Sequence, residues 1–317
     1  MFTLLLFGGY SAYKHFSGLD PLKIDPQSVM KNILGAKNPT EFLSVLSALK
    51  VNLPTQKGSQ PSIPNQVGSS SPTQLGSNYL FRFMIIADSH NDNQNLKKAI
   101  TQAKASYPDT AFIIGLGDYT DVGTLKELKS AKADLDSSGL RYFLVAGDHD
   151  LWDSRNNNLA ADTNFKTVFG PTYQSFNYNG FKFLLLDNSD NYKGITNEQK
   201  NWLTSELERA KTEGNSGILV FIHEPLFHPS SDHYMGKIET ELKSQAESLL
   251  FQLKASSVKK IFSGDIHYFS QYEEPITKLP MITVGALVTE RNPQLPRFAI
   301  VYVYQDGKTL VEDVELR

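Results

Sequence analysis

From Leu80 onward, apolar runs of strand length alternate with helix-length stretches whose apolar residues recur every three or four positions. Leu80–Ala87 reads as a buried strand, and residues 93–106 as a helix with Leu96, Ala99, Ile100 and Ala103 on one face. A second strand at Ala111–Leu116, a helix at Thr124–Leu135 and a third strand at Tyr142–Ala146 follow. An opening βαβαβ requires parallel strands with helices packed on the sheet. Tyr173–Tyr178 and Phe181–Leu186 flank Asn179-Gly180, the signature of a tight hairpin. Helices at Thr196–Lys211 and Glu239–Lys254 alternate with strands at Ile218–Ile222 and Val258–Phe262, and Tyr268–Val314 is mostly strand. The pattern predicts a layered α/β fold with two packed sheets.

The first 79 residues are of another kind. Met1–Tyr13 is uncharged and apolar, but thirteen helical residues span about 20 Å, short of the roughly 30 Å hydrocarbon core. The run begins at Met1 itself with no basic segment before it, so residues 1–19 are expected to be a membrane anchor completed upstream, or a truncated signal. Residues 20–57 read as a short helical stalk. Residues 58–79 read as a flexible linker: of the 21 uncharged residues Gly58–Asn78, 18 are Gly, Ser, Pro, Gln, Asn or Thr, too polar to bury a core. Residues 80–317 form the folded body. The segment before Leu80 has net charge +3, which leaves −6 for the body, as suits a tethered protein in a membrane-anchored or extracytoplasmic setting.

That negative charge argues against a broad nucleic-acid surface. The chain has no cysteine, which excludes disulfides, thiolate metal sites and cysteine nucleophiles. What the strand ends do carry is aspartate and histidine. Asp88-Ser89-His90, Gly117-Asp118-Tyr119-Thr120-Asp121, Gly147-Asp148-His149-Asp150, His223 and Gly264-Asp265-Ile266-His267 each follow a predicted strand. An aspartate there commonly caps the next helix. Five such ends together form the ligand set of a divalent-metal centre, because ligands gather beyond the carboxyl ends of strands in open α/β sheets.

In order and spacing these motifs resemble the calcineurin-like metallophosphoesterase family, whose pattern is D-x-H, G-D-x-x-D, G-N-H-[D/E], a later His, and G-H-x-H. A further stretch, Asp187-Asn188-Ser189 through Gly194, Gln199, Trp202 and Leu203, resembles the branch that holds purple acid phosphatases and cyclic-nucleotide phosphodiesterases. The resemblance implies an αββα sandwich with two mixed β-sheets. It implies that Asp88, His90, Asp118 and His267 hold one divalent ion, and that Asp118 bridges to a second held by His223, Asp148 and Asp265. The two ions would share the attacking hydroxide. His149 would be the general acid, with Asp121 holding its imidazole. Arg155, His228 and His233 are candidates for substrate contact.

Two positions depart from the family. Asp148 stands where the pattern has Asn, and Asp265 where it has the first His of G-H-x-H. Four carboxylates against two divalent ions leave a formally neutral centre, which favours a phosphodiester over a monoester dianion, or a single ion. Oxygen donors suit Mn²⁺ first, with Fe, Zn²⁺ or Mg²⁺ as alternatives. The expected activity is metal-dependent hydrolysis of a phosphate ester, either a small molecule or an envelope-derived substrate, with membrane association through the N-terminus. The alternative is a catalytically weak metal- or ligand-binding module at the cell envelope.

Overall fold

The computed structural model describes residues 78–237 and 239–317. The anchor, stalk and nearly all of the linker expected for residues 1–79 lie outside them. Among the described residues no helix is long and apolar enough to cross a membrane.

Two mixed sheets lie face to face. The first has the order β11(Thr309–Glu315), β10(Arg297–Tyr304), β1(Tyr79–Ile86), β2(Thr110–Gly115), β3(Tyr142–Leu144). The second runs β4(Gln174–Tyr178), β5(Phe181–Leu185), β6(Gly217–Phe221), β7(Val258–Ser263), β9(Pro280–Thr283), β8(Ser270–Glu273). Strands β1, β2 and β3 are mutually parallel, as are β5, β6, β7 and β9. Helices α1(Asn93–Ser106), α2(Leu125–Asp136), α3(Trp152–Asn156) and α4(Thr163–Phe169) follow strands of the first sheet, and α5(Asn197–Thr212) and α6(Lys243–Ala255) follow strands of the second.

Strand alternation divides the core into layers. In β1, Phe81, Phe83 and Ile85 face the inter-sheet layer, whereas Met84 and Ile86 join Leu96, Ala99 and Leu128 under the helices. The inter-sheet layer is strongly aromatic: the rings of Phe183, Phe221 and Phe262 run nearly parallel across β5, β6 and β7. Leu203, Leu207, Leu249 and Leu253 close the outer face of the second sheet. This is the expected four-layer sandwich.

Local chemistry sets the boundaries. Thr124 and Glu127 form a reciprocal capping box that starts α2. The β4–β5 hairpin turns through Asn179 and Gly180, both at positive φ. The helix expected from Glu239 begins at Lys243, because Thr240–Leu242 closes a tighter 3₁₀ turn first. β3 ends at Leu144 rather than Ala146, where the chain leaves the sheet for the site.

One buried ion pair ties the second sheet to α5. Lys182 Nζ lies 2.5 Å from Glu206 Oε2, with both side chains almost fully buried, and Ser175 Oγ donates to the same oxygen. Arg209 reaches the other oxygen at 2.9 Å. Burial alone would raise the Glu206 carboxyl, but the hydrogen bonds from Lys182 and Ser175 hold it below the usual range. Its contribution to stability is therefore present above the unfolded carboxyl's pKa and is lost as pH falls through the lowered value. Lys182→Met is expected to cost about 3 kcal/mol in urea unfolding, the low end for breaking a buried pair, since Arg209 remains. A cost under ~1 kcal/mol would show the pair to be dispensable.

Candidate metal centre

All the Asp/His motifs lie at the carboxyl ends of parallel strands, on one edge of the sandwich: 88–91 after β1, 117–121 after β2, 147–150 after β3, 223 after β6, and 264–267 after β7. Five of the seven expected ligands, Asp88, His90, Asp118, Asp265 and His267, have φ between 41° and 66°. That left-handed region costs an L-residue on the order of 1–2 kcal/mol, although Asp, Asn and His enter it more readily than most. Hydrogen bonds between loops hold them there. Asp88 N donates to Gly117 O, His90 N to Asp118 O, Asn91 N to Tyr119 O, and Val288 N to Asp88 O. The buried Asp150 carboxylate accepts from Thr120 N, Thr120 Oγ1 and Gly147 N, and so joins the second motif to the third.

The side chains converge on two adjoining positions. Asp88, His90 and His267 form one group, and Asp148, His223 and Asp265 another. Asp118 stands between them: Oδ2 is 3.4 Å from His90 Nε2 and Oδ1 is 3.5 Å from His223 Nε2. Hydrogen bonds fix the imidazole tautomers. His223 Nδ1 donates to Leu116 O at 2.7 Å, and His267 Nδ1 to Arg291 O at 3.0 Å. Each Nε2 therefore points inward, as imidazoles at metal sites do. The Nε2 atoms of His90 and His267 approach to 3.2 Å.

These residues fit a pair of divalent cations. Asp88 Oδ2 and His223 Nε2 are buried and have no hydrogen-bond partner among the described residues. His223 Nε2 instead faces Asp118, Asp148 and Asp265 oxygens at 3.5–3.8 Å, too far for hydrogen bonds. Burial, followed by the neighbouring His149 and His267, pushes His90 down to about 2, which keeps it neutral and able to ligate. Burial would also lower His223, but Asp118, Asp148 and Asp265 overturn that and raise it well above the usual imidazole value.

A raised folded value means that His223 stabilises the metal-free protein below the unfolded pKa, and that this stability is lost as pH rises through the raised value. An incoming cation competes with that proton for Nε2. Calorimetric titration with Mn²⁺ in buffers of different ionisation enthalpy is expected to show release of about one proton or more per chain. Binding with no proton released would contradict this picture of His223.

His149 sits at the edge of the first group, in contact range of His90 and Asp118. Its Nδ1 is 2.7 Å from the Asp121 carbonyl oxygen, and Trp152 stacks on its ring at 3.8 Å. Here the structure corrects an expectation. The Asp121 carboxylate does not hold the His149 imidazole; the backbone carbonyl does. The carboxylate accepts from Asn91 Nδ2 and Arg291 Nη2, both at 3.1 Å, and lies 3.6 Å from His90 Nδ1.

The substrate candidates divide. Arg155 lies on α3, six residues after His149, and reaches Asp190 and Tyr192. His228 is not at a mouth: it is buried, its Nε2 bonds Ser270 Oγ, and its Nδ1 accepts the amides of Ser230 and Ser231. Those bonds shape the loop and leave no free nitrogen for substrate. His233 is exposed, and among the described residues only its backbone N–H is engaged, by Ser231. Sequence reasoning missed Arg291 and Asn91. It also left Asn188 without a role, although Asn188 Oδ1 accepts the amides of His223 and Glu224 and fixes that loop. Arg291 lies far along the chain in an irregular loop with no motif to mark it.

Comparison with known proteins agrees with this architecture. The family model for calcineurin-like phosphoesterases matches residues 81–269. Human serine/threonine-protein phosphatase CPPED1 is 28% identical over 171 residues, 50% of this chain and 51% of its own length. The mouse protein of the same name is 31% identical over 152 residues, 45% of this chain and 46% of its own. The chain thus spans about half the length of the curated relatives it matches. Among solved structures, purple acid phosphatase PPD1 from yellow lupin shares the fold with a TM-score of 0.55 at 15% identity, covering 74% of this chain and 51% of its own. GAP50, the anchor in the inner membrane complex of Plasmodium, gives 0.53 at 18% identity, covering 75% and 85%. With most of its body matched by the family model and its Asp/His motifs gathered at one edge of the sandwich, the chain belongs to the calcineurin-like phosphoesterase family.

Proposed function

We propose that the protein hydrolyses phosphate esters at a two-metal centre, phosphodiesters in preference to monoesters, with His149 as general acid. The observation that supports this best is the pairing of two inward-facing ligand sets, joined by Asp118, with a separately oriented imidazole at their edge. Asp88, His90, Asp118 and His267 would hold one ion, and Asp118, Asp148, His223 and Asp265 the other. When bound, such a pair activates water for attack on phosphorus and neutralises the phosphoryl oxygens.

The rest is done by the chain's own groups. His149 donates its Nδ1 hydrogen to the Asp121 carbonyl, so Nε2 is the atom that carries and delivers a proton to the leaving alkoxide. Trp152 covers one face of the ring and restricts its rotation. Four ligating carboxylates cancel the charge of two divalent ions, and the Asp121 carboxylate is balanced by Arg291. A monoanionic diester therefore meets a less unfavourable balance than a dianionic monoester. The oxygen-rich second position favours Mn²⁺ over softer ions.

The test is hydrolysis of bis(4-nitrophenyl) phosphate and 4-nitrophenyl phosphate with Mn²⁺, Mg²⁺, Zn²⁺ and Fe²⁺. Turnover should be best with Mn²⁺ and should favour the diester. Because the curated relatives are named as protein phosphatases, a phosphoserine peptide belongs in the same assay. Stoichiometric metal binding with no turnover of any ester would leave a binding module.

A further inference from the structure

One side of the site carries two groups, Arg155 and Tyr192, that neither metal binding nor proton transfer uses. Trp152 and Arg155 are three residues apart on α3 and so share a face. Trp152 stacks against His149. The Arg155 guanidinium lies 5.1 Å from the centre of the Tyr192 ring, which is 64% exposed. Arg155 Nη2 is buried without a hydrogen-bond partner among the described residues; its nearest carboxylate oxygen, on Asp190, is 3.6 Å away. The turn that presents Tyr192 is shaped by Asp190, whose Oδ1 accepts Tyr192 N–H and whose carbonyl accepts the amides of Lys193 and Gly194. The adjacent Asn191 Nδ2 is 3.5 Å from Asp148 Oδ2, which sets this turn beside the second ligand group.

An aromatic ring that exposed, beside a partly exposed guanidinium on the helix whose Trp152 stacks on the imidazole that would protonate the leaving group, is poorly explained as packing. We propose that Trp152, Arg155 and Tyr192 form a subsite for the leaving alcohol, one that selects a flat, unsaturated alcohol over an aliphatic one of equal acidity. The flat group would lie on Tyr192 and the edge of Trp152, with the exposed part of the Arg155 guanidinium beside it. No covalent step is added to the hydrolysis. The subsite rests on the phosphoester reading for its role in turnover, but its binding is independent of catalysis.

The experiment therefore has two arms. In the first, the full chain with Mn²⁺ hydrolyses benzyl methyl phosphate and cyclohexylmethyl methyl phosphate, which differ in flatness far more than in leaving-group acidity. The benzyl ester should be preferred by about 5-fold or more in kcat/KM, and Tyr192→Ala should remove the preference by lowering the benzyl rate more than the cyclohexylmethyl rate. In the second, Trp202→Phe leaves Trp152 as the one tryptophan of the two in the chain. 4-Nitrobenzyl alcohol should then quench its fluorescence saturably, and Tyr192→Ala should make the quenching linear. Equal rates for the two esters, or quenching that never saturates, would overturn the subsite. Hydrolysis of neither ester together with saturable quenching would sink the phosphoesterase reading and keep the subsite as a binding site.

Discussion

His149→Ala is expected to lower turnover of an alkyl phosphate ester by about 10²–10⁴-fold, the usual worth of a positioned proton donor. The imidazole is free to act this way because its Nδ1 is committed to the Asp121 carbonyl, leaving Nε2 for the substrate. The loss should shrink for 4-nitrophenyl esters, whose leaving group departs with little need of a proton. Metal affinity should change far less than turnover. His149 also stands within ligand reach of His90 and Asp118, so metal binding is the measurement that separates the two roles. Equal losses for good and poor leaving groups, with an ion lost as well, would make His149 a ligand. Asp121→Asn should act only mildly on the acid, because the carbonyl that orients it survives the substitution. Its larger effect should fall on His90 and Arg291, which the carboxylate faces.

Gly147→Ala should be as severe without touching any reacting group. A Cβ at this position would collide with the Asp118 carboxylate and with the Asp118 backbone nitrogen. Neither can retreat. The carboxylate accepts the His149 amide and faces His90 and His223, while the residue itself is held at φ 53°. Displacing Asp118 by even 1 Å disturbs both ligand groups at once, and a misplacement of that size can cost about 10²-fold. Circular dichroism should show a folded protein, since the collision lies at the edge of the sandwich, but Mn²⁺ should bind more weakly at both positions. Wild-type Mn²⁺ affinity in Gly147→Ala would mean that the third motif has room to yield.

Much of this was legible in the sequence because local patterns and tertiary demands coincide. The later parts of the first two strand runs, Phe83–Ala87 and Phe112–Leu116, are buried on both faces, so they read as unbroken apolar segments. The seven ligand candidates stood out because each follows such a run, and parallel strands bring their carboxyl ends to one edge. What could not be read was direction and long-range contact. Nothing in Asp121 reveals that its carbonyl, and not its carboxylate, meets His149, because that depends on a turn held by Asn91 and Arg291. Nothing in His228 distinguishes a loop-shaping imidazole from a substrate-facing one; the difference is a bond to Ser270, 42 residues away. Arg291 enters the site 170 residues after Asp121 from an irregular loop, where periodicity carries no information.

Whether the centre takes two ions, the second through Asp148 and Asp265, is answered most directly by counting them. Native mass spectrometry with Mn²⁺ titration should show two ions on the wild-type chain. Asp148→Ala and Asp265→Ala should each show one retained ion, held by Asp88, His90, Asp118 and His267. A wild-type chain that binds a single tight ion, with neither substitution changing its number or affinity, would contradict the two-metal centre.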